Sequence, residues 1–153
     1  MIKLRLIEAA DVATINSWPP YPPEFAELDY ALRKNGWLDE HRDKPDARLY
    51  VAEQAGEIIA FTLLAKTSAT EAEYRIALRA DKIGQGLGSI LTTMTLDKGF
   101  KEIKLARIHL IVRKNNPRAI GLYKSLGFAV CGECLLQVNG KQVSFFKMSI
   151  AMN

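Results

Sequence analysis

Three glycines in five residues, Gly84-Gln85-Gly86-Leu87-Gly88, stand between a segment that alternates like a strand and one that repeats like a helix. Before them, Tyr74, Ile76 and Leu78 share one side of an extended stretch over 71–79. After them, Leu87, Ile90, Leu91 and Met94 fall at i, i+3, i+4 and i+7, the apolar stripe of a helix running from about Gly88 to Phe100. Glycine inside regular structure costs roughly 0.5–1 kcal/mol relative to alanine. Three of them at one corner point to a tight turn or to a ligand that needs bare backbone. A strand delivered straight into a helix start also constrains the fold, because the helix must then lie against the sheet.

The rest of the chain extends that plan. Ile2, Leu4 and Leu6 mark a strand over 2–6, and Ala9, Val12, Ala13 and Ile15 a helix from Glu8 to Trp18. The run "WPPYPP" at 18–23 forbids helix and makes a rigid connector. A second helix is predicted over Glu24–Leu38, with a glycine stop at Gly36, and a loop over the charged tract Asp39–Arg48. Two strands joined at Gln54–Glu57 follow, then the strand over 71–79, the glycine corner and its helix. A strand over 106–114, a short helix over 116–126 closed by Gly127, and two strands over 128–150 turning at Asn139-Gly140 complete the order. The predicted class is α/β in the broad sense (α+β), a mixed sheet with helices on its faces, in a single domain over 1–153.

Composition narrows function modestly. No apolar run approaches the ~20 residues that span a bilayer. The first eight residues carry charge too early for a secretory signal, so a cytoplasmic protein without a membrane partner is expected. Net charge is +4, but Lys101, Lys104 and Arg107, or Arg113, Lys114 and Arg118, form no dense stripe interleaved with aromatics. That pattern speaks for an anionic small molecule over nucleic acid. Cys131 and Cys134 form a lone C-x-x-C, and His41 and His109 match no zinc spacing, so no metal is expected and both thiols read as free.

A glycine corner opening a helix is an anion cradle, since unpaired amides and the helix dipole both point at the ligand. It is not a P-loop, because Gly88 is followed by Ser89 and Ile90 instead of Lys and Ser/Thr. It is not the dinucleotide fingerprint, because Gly88 comes one residue too soon after Gly86. A tight turn needing positive φ stays open beside the anion site.

The segment "NNPRAIGLYKSLGF" at 115–128 resembles the hallmark of the GNAT superfamily of acyl-CoA N-acyltransferases, through Asn116, Ala119, Leu122-Tyr123 and Gly127-Phe128. The family's Q/R-x-x-G-x-G/A signature overlays 83–88, with Gly86 and Gly88 matching and Ile83 departing. The likeness covers about 70–150; residues 1–65 match only in order of elements. It implies a GNAT-like fold whose central mixed sheet is mostly antiparallel, and an N-acetyltransferase that uses acetyl-CoA as cosubstrate and joins thioester and amine in one ternary complex. Gly84, Gln85, Gly86, Leu87, Gly88 and Ser89 would then give amides to the diphosphate, with Gln85 or Lys82 supplying the polar group absent at Ile83. Ile76, Ala77 and Leu78 would run beside the acetyl-pantetheine arm. Asn116, which before Pro117 reads as a helix N-cap, would also touch the cofactor. Tyr123 would protonate the departing sulfur.

The resemblance places the general base less firmly. Glu73 is the candidate, Glu71 the second, and His109 a third, since Ile111 stands where the family often has a carboxylate. The acceptor amine is open between a peptide N-terminus, a lysine, a polyamine and an aminoglycoside. Trp18, Tyr21, Glu24, Glu27, Asp29 and Tyr30 are candidates to line its cleft. A non-catalytic acyl-CoA sensor and an enzyme of aminoacyl-tRNA are the competing readings. A homodimer through the C-terminal strands is compatible with the sequence.

Overall fold

The computed structural model describes residues 1–33 and 36–152, with the side chains of Glu27, Asp29 and Tyr30 set aside. Its centre is one seven-stranded sheet of order β1-β2-β3-β4-β5-β7-β6. The strands are β1 Ile2–Leu6, β2 Ala47–Gln54, β3 Glu57–Lys66, β4 Glu71–Leu78, β5 Arg107–Arg113, β6 Ala129–Val138 and β7 Lys141–Ala151. Every neighbouring pair is antiparallel except β4 with β5. The mixed, mostly antiparallel sheet read from the sequence is therefore present.

Both short hairpins turn as their residues dictate. Ala55 and Gly56 have φ of 52° and 80°, and Asn139 and Gly140 have 53° and 77°. Two consecutive positive φ values match the right-handed twist of the flanking strands, which is why such loops favour glycine and asparagine.

The helices are α1 Ala9–Asn16, α2 Trp37–His41, α3 Leu87–Asp97 and α4 Pro117–Ser125. Helix α1 ends just short of Trp18-Pro19, since a residue before proline is pushed out of the helical region. The helix predicted over Glu24–Leu38 is a 3₁₀ segment, Pro23–Leu32, followed by α2. Phe25, Leu28, Ala31 and Leu32 are spaced by three and four, as an α-helix would also have them, yet Leu28 is exposed while Ala31 and Leu32 pack on the core. Gly36 does not stop a helix. It is the N-cap of α2, with extended backbone at φ −74° and ψ −177°. The tract 39–48, expected as loop, begins inside α2 and ends inside β2.

Each face of the sheet carries its own core. On one face, Leu87, Leu91 and Leu96 of α3 meet Tyr74, Ile108, Leu110 and Met148, with Ile120 and Tyr123 of α4 packed on the same cluster. On the other, Ile15, Ala31, Trp37 and Leu38 cover Leu49, Val51, Phe61, Leu63 and Ala77. Phe61 is fully buried there, 4.9 Å from the Trp37 ring and 5.8 Å from that of Trp18. Truncating such a residue to alanine costs about 3–5 kcal/mol. Polar atoms inside the first core are satisfied in pairs: Thr62 with Thr95 at 2.9 Å and Tyr74 with Thr92 at 2.8 Å.

Candidate active site

The glycine corner forms where β4 runs out. Arg79 still donates its amide to Ile59 of β3, a 3₁₀ turn spans Ala80–Lys82, and α3 begins at Leu87. Gly84 and Gly86 adopt φ of 82° and 78°, the left-handed region that a side chain disfavours. Gly86 is the N-cap of α3 and offers no side-chain cap, so the first amides of the helix keep their donor capacity for a ligand. Among the described residues a Cβ at Gly86 would meet nothing within 4 Å, so the space in front of its backbone is open. At Gly88 a Cβ would stand 3.4 Å from Leu122 Cδ1, an ordinary contact, so α4 packs against this turn of α3. Open space before bare, positively polarised amides fits a diphosphate.

The side chains around the corner divide their work. Gln85 turns back, its Nε2 donating to the Asp81 carbonyl at 2.8 Å, and the Asp81 carboxylate is held by Arg79 at 2.6 Å. Leu87 is buried in the core, while Ile83, Lys82 and Ser89 are half-buried. Arg118, one residue into α4 after Pro117, reaches across to Gly84. Its Nη2 and Nη1 lie 3.9 and 4.0 Å from where a Cβ of that glycine would stand. The sequence counted Arg118 only as scattered surface charge. The overlooked signal was its position, a cation in the first turn of a helix, where the dipole disfavours one.

Helix α4 is set by Asn116, whose Oδ1 accepts the Ala119 amide at 3.1 Å, with Pro117 at the first helical position. That cap orients Tyr123 two turns on. The phenol is half-buried, its ring edge-on to Phe128 at 5.6 Å, and burial pushes its pKa up to about 12. Tyr123 makes no hydrogen bond among the described residues, so its hydroxyl proton is uncommitted.

Beside this helix the sheet opens. The β4–β5 ladder covers only Glu71–Glu73 against Arg107–His109. Beyond it, among the described residues, Tyr74–Leu78 pair only with β3, and Leu110–Arg113 only with β7. Because the Arg79 amide points to β3, antiparallel alternation turns the polar backbone of Arg75 and Ala77 to β3 and that of Ile76 and Leu78 into the gap. The Leu78 carbonyl already accepts the Tyr21 hydroxyl at 2.5 Å, so the proline connector is tied to the far end of the gap.

The structure brings Glu73 to the point where the two strands part, opposite His109. Arg75 donates to the Glu73 carboxylate at 2.6 Å, and His109 Nε2 lies 3.0 Å from Thr67 Oγ1. Glu71 stands two residues farther out, 3.9 Å from Arg107. Of the residues read as lining an acceptor cleft, Trp18 packs on Phe61 with its Nε1 buried and unpaired, and Glu24 is exposed. The side chains of Glu27, Asp29 and Tyr30 lie outside the described residues. An open cleft of about 870 Å³ between Arg5, Asp11, Trp18, Glu57 and Arg79 is lined by neither Glu73 nor Tyr123. Among the described residues no three His, Cys, Asp or Glu side chains cluster to hold a metal, and Cys131 and Cys134 are free. No helix among them is long and apolar enough to cross a membrane.

Residues 11–128 match the family described as "Acetyltransferase (GNAT) family". The spermidine N(1)-acetyltransferase of Escherichia coli (strain K12) is 29% identical over 164 residues, covering 97% of this chain and 85% of that protein. The crystal structure of the spermidine N-acetyltransferase from Vibrio cholerae, in complex with CoA and spermine, shares the fold at a TM-score of 0.82. It has 23% identity, with 98% of this chain and 95% of that one covered. A dodecameric structure of the Vibrio cholerae enzyme superposes with a TM-score of 0.78 at 24% identity, over 98% and 93% of the two chains.

Proposed function

The chain belongs to the GNAT acetyltransferase family, and from that premise we propose that it moves acetyl from acetyl-CoA to a primary amine of a polyamine of the spermidine class. The observation that carries the site is the parting of β4 from β5 between the glycine corner and Tyr123. Acetyl-CoA brings an activated thioester. The residues of the chain must hold it, admit an amine and manage two protons.

Amides between Gly84 and Ser89 take the diphosphate, using the dipole of α3 as a fixed positive field. The backbone of Ile76 and the amide of Leu78, turned into the gap, lie along the pantetheine arm as an added strand would. An amide of that edge also stabilises the oxyanion as the amine adds. Glu73, held by Arg75 where the strands part, takes the proton of the incoming ammonium, directly or through water. An alkylammonium with pKa near ~10.4 must lose that proton before its nitrogen can attack. As the new C–N bond forms and the C–S bond breaks, Tyr123 gives its hydroxyl proton to the sulfur, and the second proton shed by the nitrogen restores the phenol through solvent. A phenol whose pKa stands at about 12 is fully protonated for that task at neutral pH.

The polyamine is supported by the named activity of a relative alignable over nearly the whole chain. It also accords with the acidic residues Glu24, Glu27 and Asp29 of the 3₁₀ segment, suited to a flexible polycation. The edge strand β6, with Leu135 and Leu136 exposed, is the surface we assign to self-association, in keeping with the dodecameric relative. Mass spectrometry after incubation with acetyl-CoA and a panel of spermidine, spermine, a lysine peptide, a free peptide N-terminus and an aminoglycoside tests the substrate. The expected outcome is monoacetylated polyamine, with kcat/KM at least about tenfold above the other acceptors. Transfer confined to peptide or aminoglycoside would replace the substrate class, and consumption of acetyl-CoA without any acetylated amine would remove the transferase reading.

A further inference from the structure

We propose that Arg118 grips the diphosphate of acetyl-CoA from the α4 side of the glycine corner, supplying the cation that Ile83 does not. The proposal rests on the reading of the corner given above, and three observations carry it.

The first is placement. The guanidinium lies over Gly84, 3.9 and 4.0 Å from the point a Cβ would occupy, on the edge of the open space before the α3 amides. A planar fork there can make two parallel hydrogen bonds to phosphate oxygens while the amides bind from beneath. The second is the lack of another role. Arg5, Arg75, Arg79 and Arg107 each meet a carboxylate. Arg118 has no ion pair and no hydrogen bond among the described residues, and its side chain is exposed. It also stands in the first turn of α4, where the positive end of the helix dipole repels a cation and no acidic residue offsets it. Structure alone therefore gives no reason for a cation at this position, whereas a bound dianion does.

The third observation removes the competitors. Gln85 spends its amide nitrogen on the Asp81 carbonyl, and Asp81 itself is held by Arg79. Ile83 is half-buried and apolar, so the corner otherwise relies on backbone alone. Arg118 arrives from a different helix, which couples the corner to the element that carries Tyr123. A diphosphate clasped between α3 and α4 would fix the distance from the anion site to the phenol.

Titration calorimetry with CoA and with 3′-dephospho-CoA separates the diphosphate from the 3′-phosphate as the group that Arg118 meets. Arg118→Gln should weaken both ligands alike, by about tenfold or more, with an unchanged melting temperature in their absence. Arg118→Lys, which keeps the charge without the fork, should recover only part of the affinity. Binding of both ligands at parental strength by Arg118→Gln overturns the proposal, as does a loss seen with CoA but not with its dephospho form. Gly86→Val serves as the control for the corner itself. If that variant binds CoA as the parent does, the anion site is elsewhere and the underlying reading falls, whatever Arg118 shows.

Discussion

The sheet is dressed differently on its two sides. On one side α3 and α4 seal a core that runs from Leu4 of β1 to Met148 of β7. On the other, α1, the 3₁₀ segment and α2 cover the sheet only as far as Ala77 of β4, and Glu73, Arg75 and His109 lie at the margin of that cover. In the proposed site the sealed side uses backbone for binding. Its glycine corner and helix start present amides that no mutation of a neighbouring side chain removes. The open side must rely on side chains, and its carboxylate is already engaged by an arginine. On the function proposed above, cofactor capture belongs to the first side and acceptor handling to the second, and substitutions on the two should separate in their effects.

The largest effect is expected from Tyr123→Phe on the sealed side. Loss of a positioned acid should lower kcat by about 10²–10⁴, with acetyl-CoA affinity little changed, because the role proposed for the hydroxyl is at the sulfur and is called on as the C–S bond breaks. In the parent, kcat/KM should rise with pH as the acceptor amine loses its proton near ~10.4. It should not fall until the phenol itself titrates, at about 12. A descending limb well below that value would assign the acid to another group. Gly86→Val follows in size. Nothing stands within 4 Å of its Cβ position, so the damage comes from a β-branched residue at φ 78° and from its bulk before the amides, not from crowding in the core. A ligand at 100 times its dissociation constant stabilises the parent by about 2.7 kcal/mol, and that increment, read by thermal shift with acetyl-CoA, should vanish.

The difference between the two sides also marks what the sequence could express. The sealed side is written in local signals: a strand, glycines at left-handed positions, an i, i+3, i+4, i+7 stripe and an Asn-Pro cap, each within about a dozen residues. Both hairpin turns were legible for the same reason. The parting of β4 and β5 is set by a parallel pair only three residues long, and no local pattern encodes where such a pair stops. Nor does sequence show that β7 slots between β5 and β6. Tyr21 meets Leu78 across 57 positions, and Arg118 meets Gly84 only because a leucine of α4 packs on Gly88. The segment 24–38 reads as one α-helix because its apolar spacing of three and four fits one, whereas the chain forms a 3₁₀ segment there and an α-helix only from Trp37 to His41.

Glu73→Gln tests the open side. It should cut kcat/KM for polyamine about tenfold and steepen its rise with pH, since transfer then depends on amine already deprotonated in solution, while the dissociation constant of CoA stays at the parental value. An equal loss in CoA affinity would show that the two sides are not separable at the point where the strands part. No loss of turnover would pass the role of base to Glu71, His109 or a bound water.

The smallest effect falls on stability and not on turnover. Asp11 pins α1, and hence the cover of the open side, to the sheet. Arg5 donates to its two carboxylate oxygens at 2.7 and 2.9 Å, and the Glu8 amide donates to Oδ2 at 2.7 Å. The hydrogen bonds from Arg5, more than any other influence, hold the Asp11 carboxyl below its usual 3.8, against the opposing pull of burial. A folded-state pKa lower than the unfolded one means that the stabilisation is whole above the unfolded value and is lost as pH falls through the folded one. Asp11→Asn should therefore cost about 1–2 kcal/mol at pH 7, with kcat within about twofold of the parent. The gap between parent and variant should close progressively below pH ~4. Urea titrations of both proteins at pH 7 and pH 3 measure it. A gap that persists undiminished in acid would mean that the contribution of Asp11 is packing and not charge, and that α1 is held to the sheet by Ile15 and its neighbours alone.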